Sequence, residues 1–145
     1  MKYLVFLFML AVSFSCSEKA TETEVEDDVE WEEMDEFHAV MADVYHPLKD
    51  SGNLEPIKKD AGTLAAAATK WAQSTLPSKV DNDETKELLA RLEDGCQQLK
   101  QMINDKMPDE EIASKLTAQH DNFHAIMESW YKAGKEEGAE EHHDH

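Results

Sequence analysis

Apolar residues recur every three or four positions through most of this chain, and no segment alternates with a period of two. That spacing places apolar side chains along one face of a helix and leaves nothing that could form a half-buried sheet. Four such stripes follow one another. The first, residues 29–45, carries Met34, Phe37, Met41 and Val44, with Leu48 in register beyond it. His46-Pro47 is expected to end it, because the residue before a proline is pushed out of helical geometry. Lys49-Asp50-Ser51-Gly52-Asn53 then reads as a turn. The second, residues 54–74, carries Ile57, Ala61, Leu64, Ala68 and Trp71, with Pro56 suited to a first turn. Its alanine run, residues 65–68, favours helix and close approach by a neighbour. Leu76-Pro77-Ser78-Lys79 breaks it.

The third stripe begins after a cap among Asp81, Asn82 and Asp83 and carries Leu89, Leu92, Cys96, Leu99 and Ile103. Gly95 lies inside it and costs about 1 kcal/mol relative to alanine. The fourth starts at Pro108, with Asp109, Glu110 and Glu111 suiting the positive end of the helix dipole. Ile112, Leu116, Phe123, Met127 and Trp130 form its apolar face, and Gly134 and Gly138 are expected to stop it. Four helices joined by short loops predict an all-α, up-down-up-down antiparallel four-helix bundle over residues 29–134.

The ends read differently. Residues 1–15, with Lys2 ahead of an apolar run and small residues before Cys16, read as an export signal too short to span a membrane comfortably. Residues 16–28 form an acidic linker nearly free of large apolar side chains, the composition of a disordered tether. Residues 135–145 read as a flexible acidic and histidine-bearing tail, ending Glu140-Glu141-His142-His143-Asp144-His145. The junction Ser15-Cys16 after an apolar stretch resembles the lipobox of bacterial lipoproteins, with Ser13 where leucine is often found. That resemblance implies lipidation at Cys16 and a membrane-anchored, periplasm-facing protein of a Gram-negative cell envelope. Plain secretion is the alternative.

A formal net charge of −18 argues against nucleic acid, whose phosphates need a basic surface, and against docking on anionic lipid by charge. With Cys16 lipidated, Cys96 has no partner for a disulfide within the chain. At a stripe position it reads as a small buried hydrophobe rather than a ligand or redox thiol. Met34, Met41 and Met127 likewise read as core filler before thioether ligands. No nucleophile–base pair, phosphate loop or pair of catalytic carboxylates is apparent, so an enzyme is not expected.

Histidines carry the one functional signal. His38 and His46 flank the first stripe, and His120 and His124 flank the fourth at four-residue spacing. At about 100° per residue the two flanks turn to the same rotational side, so they face one another in an antiparallel pair. Depth along the bundle sets His38 level with His124, and His120 opposite Ala42. His38, His120 and His124 are therefore the expected metal ligands, with His46 an outer member. Imidazoles at this spacing chelate zinc or copper(II), and Glu128, Asp43, Asp121 or water could complete the shell. The bland reading is that these histidines only satisfy nearby carboxylates.

The helix order, the Thr75-Leu76-Pro77-Ser78-Lys79 turn, and Asn122-Phe123-His124 with Trp130-Tyr131-Lys132 resemble the cytochrome b562 and cytochrome c′ type of periplasmic bundle. In the b562 type a methionine early in the first helix and a histidine late in the fourth hold haem b. Met34 and His124 are the matching positions. The chain has no CxxCH, which excludes covalent haem, and the pattern has no counterpart for His38 or His120. Three functions are thus expected in order: transition-metal buffering or sensing, b-type electron transfer, and a non-catalytic scaffold whose protein partner the sequence does not name.

Overall fold

The computed structural model describes residues 30–140, which form four α-helices and one short 3-10 turn, with no strand among the described residues. The expected export signal, Cys16, the expected acidic linker and residues 141–145 lie outside them. The helices are α1 (Glu32–Ser51), α2 (Glu55–Ala72), α3 (Asp83–Asn104) and α4 (Asp109–Glu140). Each packs on its neighbours in sequence, and α4 returns beside α1. This is the antiparallel four-helix bundle that the stripes predict.

Two expected helix ends fall elsewhere. α1 runs through Pro47 for a further turn. The proline deprives residue 43 of a backbone donor, but residue 43 is exposed and water can take the freed carbonyl. Leu48, half-buried against the core, holds the extra turn in place. Gly52 then ends the helix at φ 71°, where its N–H donates to the Leu48 carbonyl. α4 passes both glycines without stopping. A Cβ at Gly134 would sit 3.5 Å from Lys79 Nζ. That ammonium reaches across from the 3-10 turn (Ser78–Val80) to lie 3.3 Å from the centre of the Trp130 ring.

Other boundaries follow local chemistry. Asn82 caps α3, its side chain accepting from Thr85 N–H at 2.9 Å. Asp109, at the start of α4, pairs with Lys58 near the start of α2 at 2.8 Å, as expected when alternate helices run parallel.

The core is strongly aromatic at one end. Trp31, Phe37, Trp71 and Phe123 are all at most 1% exposed. Trp31 meets Trp71 edge-on at 5.1 Å and Trp130 at 5.3 Å, while Phe37 touches both Trp71 and Phe123. Truncating one such side chain to alanine typically costs about 3–5 kcal/mol. Met34, Met41 and Cys96 are buried within the same core, and Met127 is half-buried against it. Burial pushes the Cys96 thiol up to about 12, so no thiolate is on hand at neutral pH.

Candidate metal site on the α1–α4 seam

α1 and α4 meet more sparsely than the other three neighbouring helix pairs, and the histidines lie along this seam. His120 and His124, one turn apart on α4, bring their Nε2 atoms to 3.1 Å. Between neutral rings that is a hydrogen bond, one N–H donating to the other ring's lone pair. It is also the separation of a chelating pair. A metal ion about 2.0–2.1 Å from each nitrogen would see them at about 100°. The same two atoms can thus share a proton or hold a divalent ion.

The two rings differ in setting. His124 is exposed. The His120 side chain is 22% exposed, and its Nδ1 is buried without a hydrogen-bond partner. The nearest carboxylate, Asp121 Oδ1, stands 3.8 Å away, close enough to attract a charge but too far for a hydrogen bond. Loss of hydration holds the His120 imidazole below its ordinary value, and His124 and Lys49 push it the same way. Asp121 offsets part of this.

Across the seam, α1 supplies aromatic contacts instead of ligands. Tyr45 lies flat on His120, ring centres 3.8 Å apart and planes 16° apart. His38 stacks on Phe123 at 5.1 Å, and His124 meets the same Phe123 ring edge-on at 5.5 Å. His38 and His124 therefore flank one phenylalanine, which bears out their similar depth. His120 faces Tyr45, about one turn beyond the expected Ala42. His46 is exposed beside Pro47. Among the described residues no three His, Cys, Asp or Glu side chains are gathered as a metal cluster, so His120 and His124 meet but His38 and His46 do not join them. Of the other suggested ligands, Glu128 is engaged by Lys132 at 3.0 Å.

Met34 and His124 do not make a haem pair. Met34 is 4% exposed and borders a hollow with Trp31, Trp130 and Lys79, whereas His124 borders a second hollow with Met127 and Lys132. Phe37 and Phe123, 5.6 Å apart, fill the interior at this level, where a flat macrocycle would have to lie. The residues present do not fit that group.

Tyr45 is the residue that sequence reasoning missed. Its signal was available: it lies on the same flank of α1 as His38, seven residues on, where an aromatic ring is long enough to cross a helix seam. Comparison with family models, with curated proteins and with solved structures returns no match for this chain.

Proposed function

We propose that this bundle binds one divalent transition-metal ion, zinc or copper(II), on the α1–α4 seam, for metal buffering or sensing and not for catalysis. The observation that carries the reading is the pair of Nε2 atoms 3.1 Å apart on adjacent turns of α4. Two imidazoles set at chelating distance spare an ion much of the ordering entropy that free side chains would have to lose. His38 is the third ligand on this reading: turned off the Phe123 face, it swings toward the ion as it binds. Water completes the shell. Neutral nitrogen donors without a thiolate suit zinc and copper(II) over copper(I).

The export signal and Cys16 support placing the protein as a lipid-anchored, periplasm-facing envelope protein, where exogenous metal arrives first. No helix of the described residues is long and apolar enough to cross a membrane; on this reading a lipid at Cys16 is the attachment. A b-type haem protein similar to cytochrome b562 is not proposed, because Phe37 and Phe123 fill the space that group would need.

Calorimetric titration of chelator-treated, untagged protein with Zn(II) and Cu(II) tests the proposal. One ion per chain is expected, lost in His120→Ala and His124→Ala and weakened in His38→Ala. Wild-type protein that binds neither ion, or binds both unchanged in the two α4 variants, ends it.

A further inference from the structure

We propose that Tyr45 is the positioning residue of the histidine pair, and that metal affinity therefore depends on α1 being docked against α4. The inference rests on the metal-binding reading above. Hydrogen bonds alone do not fix the His120 ring. Its Nδ1 has no partner, and its one short polar contact is to His124, an exposed side chain. Metal-ligating histidines ordinarily owe their orientation to an outer hydrogen bond from the second nitrogen. Here that role passes to a ring face. Tyr45 covers His120 at 3.8 Å and 16°, closer and flatter than the other cross-seam stack, His38 on Phe123 at 5.1 Å and 22°. A covered imidazole can slide little and flip less, so its Nε2 stays aimed at His124.

Tyr45 belongs to α1 and His120 to α4, and the two helices meet along the sparsest seam of the bundle. The Tyr45–His120 stack joins them alongside the Phe37–Phe123 and His38–Phe123 contacts, and is the closest and flattest of the three. Ligand linkage is reciprocal: if docked α1 strengthens metal binding, bound metal strengthens α1 docking by the same factor. The site is then a clasp as well as a receptor. It fastens the helix that follows the N-terminal segment to the last helix of the bundle.

Two variants of the full chain separate ring cover from mere presence. Tyr45→Phe keeps the flat face and is expected to bind Zn(II) within twofold of wild type. Tyr45→Ala removes it and is expected to bind about tenfold more weakly or worse, the range seen when an outer support of a metal ligand is lost. Tyr45 is only half-buried, so Tyr45→Ala should fold; helical circular dichroism checks this, and Tyr45→Leu, which keeps apolar cover but not a ring, serves if it does not. Without metal, the carbon-bound ring protons of His120 are expected upfield in wild type and Tyr45→Phe, from the stacked ring, and back near free-histidine positions in Tyr45→Ala. Added Zn(II) is expected to slow amide exchange along α1 in wild type and Tyr45→Phe.

Equal zinc affinity in wild type and folded Tyr45→Ala overturns the inference while leaving the metal site standing. A wild-type chain that binds no metal overturns the metal reading and with it the clasp. Unshifted His120 ring protons in metal-free wild type overturn the positioning role by themselves.

Discussion

Burial works against charge at His120. The imidazole is held below its ordinary value of 6.5, first by lost hydration and then by His124, with Asp121 opposing. Unfolded chains therefore take up a proton near pH 6.5 that folded chains refuse until lower pH. Above that value the group is neutral in both states and stability is indifferent to it. As pH falls through 6.5 toward the folded value, protonation favours the unfolded chain and stability declines. His120→Gln removes the titrating ring while keeping a polar side chain. Urea midpoints of metal-free protein at pH 7.5 and pH 5 are expected to differ less in this variant than in wild type. Equal differences would mean that burial of the ring is not felt. The same residue makes a second expectation concrete. Because His120 and His124 are already together and His38 is not, zinc affinity should fall steeply in His120→Ala and by a smaller factor in His38→Ala, read by titration at pH 7.5. A larger loss in His38→Ala would reverse the assignment of anchor and latecomer.

At the scale of the helices, Gly95 shows how a local rule is overridden. A glycine inside a helix ordinarily gains about 1 kcal/mol on change to alanine. Here a Cβ would fall 2.0 Å from Gln119 Oε1, and Gln119 is a buried polar residue of α4, 2% exposed, that also accepts from Asn122 at 3.2 Å. Gly95→Ala must evict that amide, so it is expected to destabilise by about 1–2 kcal/mol. In a Gln119→Ala background the same change should become neutral or stabilising. Thermal or urea melts of the four proteins in the cycle measure the coupling, and additive effects would refute it. Much else about the helices was legible. Four stripes gave four helices because the apolar spacing serves both local geometry and the shared interior. The Asn82 cap was legible for the same local reason. What escaped were features that depend on a neighbour. Pro47 looked like a stop, but Leu48 had core to bury against. Gly134 looked like a stop, but α4 continues through it beside the Lys79 chain that lies over Trp130. Trp31, three residues ahead of Met34 on the same stripe, is a central core residue at 1% exposure. The seam and the shared level of His38 and His124 followed from rotation and counting; that Tyr45, and not a third imidazole, would cover His120 depended on side-chain reach, which periodicity does not encode.

At the scale of the molecule, a formal charge of −18 makes two kinds of cation effect that must be told apart. Self-repulsion among carboxylates destabilises the compact state and is screened by any salt. With a chelator present, raising sodium chloride from about 0.02 to 0.5 M is expected to lift the melting temperature gradually, since the Debye length shrinks from about 20 Å to a few ångströms over that range. A specific site behaves otherwise. Zinc at a hundredfold excess over its dissociation constant adds about 2.7 kcal/mol to the folded state. For a bundle of this size that is a rise on the order of 10 °C, reached at metal concentrations far below the salt range that changes screening. It should disappear below about pH 5, where imidazoles are protonated, and in the His120→Ala/His124→Ala double variant. The carboxylates are untouched in that variant, so diffuse binding to the acidic surface would survive it. A zinc-induced shift of equal size in the double variant would therefore assign the effect to the charge of the whole molecule and not to the seam. A shift confined to the wild-type chain would mean that two imidazoles on one face of α4 compete for metal against an entire acidic surface and win.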